Sequence, residues 1–158
     1  MRRALLTLLV GGLMLPGALA ASPVGAINIG NEGCTPGYWK NHTDNWFEDV
    51  GKPIPVTKTL GGAGYVTSSV PGTDTLLMAL RYRGGPGPEG AERILLRAAA
   101  AAWLNAAHEG LGYPYRRYKD PGNIVASVNA AIASGNRAQM ISLAGLLDDA
   151  NNLGCPLN

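Results

Sequence analysis

The chain has 158 residues, 15% of them charged, with 13 Lys+Arg against 11 Asp+Glu. That length holds one domain with a real core. A balance this even excludes the dense basic surface by which nucleic acid or an anionic membrane is recruited.

The N-terminus reads as a secretory signal over residues 1–20. Arg2 and Arg3 open it, and Ala4 to Leu15 is an uncharged apolar run. Pro16-Gly17 then breaks the run before the small-x-small sequence Ala18-Leu19-Ala20, the mark of a cleavage site. The run falls short of the roughly 20 residues that span a bilayer. The mature chain is therefore expected to start at or near Ala21, exported by the general secretory route. Losing Arg2 and Arg3 leaves 11 Lys+Arg against 11 Asp+Glu, formally neutral. The expected location is secreted or cell envelope, with no membrane span after signal removal and no nucleic-acid partner.

Residues 21–33 are small, polar and glycine-rich, and read as a flexible leader. The domain proper, residues 34–158, opens with Cys34-Thr-Pro-Gly-Tyr-Trp-Lys-Asn-His42. Thr35 as cap and Pro36 in the first turn start a short helix. Trp39, Trp46 and Phe47 place two of three tryptophans and the single phenylalanine in one segment. Residues 51–72 read as loop with one or two short strands. Thr73 is expected to cap a helix over Asp74 to Arg81, with Asp74 in its first turn.

Gly84 to Pro88 breaks the chain before its clearest helix. Glu89 and Glu92 occupy that helix's first turns, Ala98 to Ala102 continue it, and Gly110 stops it. Ile94, Leu95, Ala98, Ala102, Trp103 and Ala106 recur at helical spacing, which predicts one buried face. A tyrosine-rich connector follows, and the patch Arg116-Arg117-Tyr118-Lys119 within it reads as a solvated loop. Asp120-Pro121 is expected to open a helix that buries Ile124, Val125, Val128, Ala131 and Ile132 and ends at Gly135. Asn136 caps a last helix carrying Met140, Leu143, Ala144 and Leu147 towards Asn151. No internal repeat is present.

Cys34 and Cys155 are the two cysteines. In an oxidising compartment such a pair reads as a disulfide, here favoured over two free thiols or an intermolecular bond. Closing a loop of this length is worth about 4–5 kcal/mol in the chain-entropy model. The expected fold class is mainly all-α. It is a small bundle of four to five helices with a loop-rich N-terminal half, closed by one disulfide.

Three blocks of the sequence resemble a secreted bacterial domain found alone or attached to larger surface and extracellular proteins. They are residues 34–42, the middle block Leu95 to His108, and the ending Asn151-Asn-Leu-Gly-Cys-Pro-Leu157. The resemblance implies location and fold. It carries over no activity and no catalytic residue.

The residues themselves offer little chemistry. His42 and His108 are the two histidines, and the acids available to them include Asp44, Asp49, Glu92, Glu109, Asp148 and Asp149. No His-x-x-x-His pair, cysteine pair at metal spacing or calcium loop is present. No serine lies in a nucleophile elbow, and no phosphate loop follows Gly61-Gly-Ala-Gly64. Neither a metal nor a cofactor is expected. His42 is expected to hydrogen-bond within the aromatic cluster, and His108 to sit as a welcome cation at a helix C-terminus. Asn41-His42-Thr43 matches a glycosylation sequon, which the resemblance to a bacterial domain implies is not used.

The aromatic segment is the richer feature. Tyr38, Trp39, Trp46 and Phe47 either seal the N-terminal segment as core or form a platform for sugar or peptide. In the second case Lys40, Asn41 and His42 supply polar contacts. Small domains need their aromatics for stability, which favours core. The candidate binding set is Tyr38, Trp39, Lys40, Asn41, His42 and Trp46. The functional expectation is a non-catalytic extracellular or cell-envelope module that contacts a polysaccharide or a protein. The alternative is a small secreted hydrolase or metal-dependent enzyme with a site near His42.

Overall fold

The computed structural model describes residues 30–49, 52–118 and 123–157. The signal sequence, its cleavage point, most of the leader, Lys119 and the Asp120-Pro121 cap lie outside the described residues. Among the described residues there are five α-helices, α1 (Pro36–Asn41), α2 (Leu76–Ala79), α3 (Gly87–Ala107), α4 (Ile124–Ala133) and α5 (Arg137–Asn151). A two-stranded antiparallel ribbon, β1 (Phe47–Asp49) and β2 (Lys52–Pro53), is the one sheet they form. The fold is the small, mainly helical one expected.

Helix α3 is its axis. Residues Ala98 to Asn105 are all buried, so the helix has no solvent face over two turns. A helix enclosed on every side is a core element rather than an amphipathic one. The sequence spacing predicted a single buried face and missed this. Alanine is the reason, because its short side chain lets backbone approach from any direction. Helices α4 and α5 pack on α3, while α1, α2 and β1 also pack against it.

The loop between β2 and α2 is laid along α3 and held by backbone pairing. Leu60 N–H donates to Asp74 C=O at 2.8 Å, and Leu76 N–H donates to Lys58 C=O at 2.8 Å. Thr59 and Thr75 form an isolated bridge. This pairing keeps Thr75 extended, so α2 begins at Leu76 with Thr75, not Thr73, as its cap. Asp74 leaves the helix and instead accepts from the Tyr82 hydroxyl at 2.6 Å. Tyr65 docks the loop by donating to the Ala99 carbonyl at 2.9 Å.

Glu92 fixes the same loop. It is buried, and its two carboxylate oxygens accept from the backbone N–H groups of Ser68 and Ser69 at 2.8 and 2.9 Å. A residue expected simply to favour the helix start thus holds a neighbouring segment. The break before α3 is also shorter than expected, since Gly87 and Pro88 already belong to the helix.

In the C-terminal half the sequence reading holds closely. Ile124, Val125, Val128, Ala131 and Ile132 are buried, and so are Met140, Ala144 and Leu147, while Leu143 is half-buried. Asn123 caps α4 by accepting from Ala126 N–H at 2.9 Å. Asn136 caps α5 through Ala138 N–H at 2.9 Å.

Cys34 and Cys155 are bonded, with Cα atoms 4.5 Å apart across a sequence separation of 121. Two glycines make that seam. Gly33 pairs with Gly154 through an N–H to C=O bond of 2.9 Å. A Cβ on Gly33 would lie 2.0 Å from the Ala150 carbonyl oxygen, and Gly154 has φ +122°. Both positions exclude a side chain, one by contact and one by backbone conformation. Residues 32 and 33, at the end of the expected flexible leader, are fixed. Glu32 N–H donates to Gly112 C=O at 3.0 Å, and Gly112 N–H returns to the Glu32 carboxylate at 2.8 Å.

Candidate functional site

Helix α1 is built as its sequence dictates. The Thr35 hydroxyl accepts from Tyr38 N–H at 3.1 Å, and proline occupies the first turn. Its six residues turn Tyr38 and Trp39 inward and leave Lys40 and Asn41 exposed. A tight 3₁₀ turn over Thr43–Asn45 then brings Trp46 back into the core.

Beneath α1 lies a fully satisfied polar knot. Asn105, 0% exposed, accepts from Cys34 N–H at 2.8 Å and from the Trp39 indole N–H at 2.9 Å through its Oδ1. Its Nδ2 donates to the Cys34 carbonyl at 2.9 Å and to Asn151 Oδ1 at 2.9 Å. Asn151 Oδ1 also accepts from the Tyr113 hydroxyl at 2.8 Å, while its Nδ2 donates to the Ala98 carbonyl at 3.0 Å. Burial pushes the Tyr113 phenol well above its ordinary pKa. A buried network in which every member is satisfied is rigid and specifying.

Asn105 and Asn151 escaped the sequence reading. Both lie in blocks singled out by resemblance, yet an asparagine inside an apolar helix gives no periodic signal. The usable clue was an amide at a core-facing position, where it must find partners.

Above the knot, at the seam of the chain's two ends, is an open groove of about 430 Å³. Gly33, Thr35, Gly37, Tyr38, Asn41 and His42 line it from the N-terminal side. Asn152, Gly154 and Cys155 line it from the C-terminal side. None of these is an acid, a lysine or an arginine. The His42 ring stacks on Tyr38 at 4.4 Å between centroids and 20° between planes. Tyr38 is nearly closed off and His42 is exposed, so the imidazole is the aromatic surface offered to solvent. The Tyr38 hydroxyl is spent internally: it donates to the Leu157 carbonyl at 3.0 Å and accepts from Asn45. The Asn152 Nδ2 donates to the Asp148 carbonyl at 2.7 Å, which leaves its Oδ1 as the acceptor of that amide.

The candidate binding set therefore divides. Tyr38, Asn41 and His42 share the groove, whereas exposed Lys40 is not part of its lining. Trp39 and Trp46 are 0% and 1% exposed and belong to the core. Trp46 donates its indole N–H to the Trp39 carbonyl at 3.0 Å. Neither indole offers a face for stacking, so, of the two readings of the segment, core holds for Trp39 and Trp46, and both leave the candidate binding set. Thr35, Asn152 and Gly154 were not foreseen as lining of the groove.

His108 is also corrected. It caps α3, but its Nδ1 accepts from Gly110 N–H at 3.1 Å, and burial lowers its pKa from 6.5. The site favours neutral imidazole over a cation.

The third tryptophan anchors the connector. The Trp103 N–H is shared between the Ala63 carbonyl at 3.2 Å and the Tyr118 hydroxyl at 3.0 Å. The Arg117 guanidinium lies 4.5 Å from the Trp103 ring centre and pairs with Glu48 at 2.9 Å. Arg117, read as part of a solvated loop, is a packing residue.

No carboxylate lines the groove with His42. Among the described residues no three His, Cys, Asp or Glu side chains are placed to hold a metal ion, and no helix is long and apolar enough to cross a membrane. No family model, no curated protein and no solved structure matches the chain.

Proposed function

We propose that the protein is a secreted, non-catalytic module of the cell envelope or exterior, acting by contact through the groove at its disulfide seam. One observation carries the reading. Asn41 and His42, two exposed residues of the aromatic-polar segment, meet Asn152, Gly154 and half-buried Cys155 around a single concavity. Its volume of about 430 Å³ lies within the range of about 300–1,000 Å³ usual for ligand sites. The disulfide supports an oxidising compartment.

The test is attachment of the purified, disulfide-bonded protein to envelope and extracellular-matrix preparations. His42→Ala and Asn152→Ala should each release it while circular dichroism and melting temperature stay close to the parent's. Attachment undiminished in both variants refutes the groove as the contact site. Turnover of any substrate that depends on His42 refutes the non-catalytic reading.

A further inference from the structure

We infer that the groove takes an uncharged polysaccharide segment, with one sugar ring lying against His42. The inference rests on the groove being the contact site proposed above and names what fills it.

Charge is the first argument. The nine lining residues include no acid, lysine or arginine. A site for a polyanion needs cations that repay its desolvation, and a site for a basic peptide needs carboxylates. An uncharged ligand asks for neither. What the lining does offer is amide and hydroxyl chemistry, from Asn41, Asn152 and Thr35. Asn41 presents both a donor and an acceptor, and Asn152, whose Nδ2 already donates to the Asp148 carbonyl, presents its Oδ1. This mixture matches sugar hydroxyls, themselves both donors and acceptors.

Geometry is the second. The face-to-face contact with Tyr38 holds the His42 ring flat on a nearly buried phenol. A ring fixed this way loses little freedom on binding, which is what a stacking surface requires. Tyr38 is in turn fixed through its hydroxyl by Leu157 and Asn45. The aromatic pair is therefore supported from below, and Gly37 and Gly154 leave backbone rather than side chains at the groove's wall.

Openness is the third. The groove is open to solvent rather than enclosed, so a segment of a polymer can reach it from the side without an end having to enter.

The experiment is native electrophoresis of the disulfide-bonded protein through gels containing mannan, hydroxyethylcellulose or laminarin, with alginate as the anionic comparison. At least one neutral polymer should retard the protein more than alginate does. His42→Ala and Asn152→Ala should each weaken that retardation about tenfold, equivalent to about 1.4 kcal/mol, and His42→Phe should restore most of it. Retardation by alginate alone, or by none of the neutral polymers, overturns the inference. So does retardation unchanged in His42→Ala. If envelope attachment is lost in His42→Ala while no neutral polymer retards the parent protein, the groove stands as the contact site and the glycan assignment falls. If attachment survives both alanine changes, the groove itself is refuted.

Discussion

The knot beneath α1 and the groove above it are made of the same kinds of residue, often from adjacent positions. Trp39 and Asn151 point inward, while His42 and Asn152, a few bonds away, point out. In the knot every polar atom is paired with protein. At the groove the exposed amides and imidazole face water. The difference teaches that residue type in a motif does not assign its role. A step of one position, from Asn151 to Asn152, takes an amide out of the buried network to the exposed groove wall.

The largest effect should follow from breaking the knot. Asn105→Ala strips partners from the Cys34 N–H and C=O, the Trp39 indole and the Asn151 amide, all in the buried interior. At about 1–3 kcal/mol per orphaned group, the loss should reach roughly 4 kcal/mol or more. Urea denaturation of the oxidised protein measures it. A loss below about 1 kcal/mol would show that the network relaxes freely.

Next in size is the seam joining the two regions. Replacing Cys155 by Ser should lower stability by about 2–5 kcal/mol, the usual cost of losing a disulfide from a small domain. The Asn105 bonds to Cys34 do not depend on the disulfide. The Cys155→Ser protein should therefore keep its Trp39 environment, visible as an unchanged indole N–H resonance. Loss of that resonance with helices intact would show that the disulfide, not the amide, positions the N-terminal segment.

How much of this was legible beforehand differs along the chain in the same way. The disulfide, the α1 cap and the apolar faces of α4 and α5 were readable because each rests on a local or unique signal. The α2 boundary was not, because a bridge between Thr59 and Thr75 overrides the local capping preference of Thr73. Glu92 read as a helix-start acid and Arg117 as part of a solvated loop because their partners, Ser68, Ser69 and the Trp103 ring, are distant in sequence. The groove was half visible. Asn41 and His42 were singled out, but Asn152 arrives from the other side of the seam, brought there by the packing of α5 on α3, the Gly33–Gly154 pairing and the disulfide, none of them a local signal.

A smaller effect should come from His108, which is half-buried beside the knot, its ring 6.1 Å from Trp39. Burial lowers its pKa below 6.5 in the folded protein. On acidification the unfolded chain takes the proton first, so stability is fully present above about 6.5 and falls as pH drops towards the folded value. Asp148 acts in the opposite sense, since burial raises its pKa from 3.8 and its neutral form favours the fold. Comparing parent with His108→Gln between pH 7.5 and 5 isolates the histidine. The parent should lose stability more steeply, and parallel curves would remove His108 from the account.

The smallest effect should be Asn41→Ala, the same chemical change as Asn105→Ala made a short distance away. Asn41 is exposed at the end of α1, so its amide exchanges water for water when removed. Alanine also propagates a helix at least as well as asparagine does. Stability should stay within about 0.5 kcal/mol of the parent, as for other surface positions without a structural task. Paired with Asn105→Ala, this change tests the contrast directly, because side-chain chemistry is held constant and only placement varies. A loss above about 1 kcal/mol at Asn41 would mean that the groove wall is part of the structural scaffold. The division between knot and groove would then fail where the two are closest.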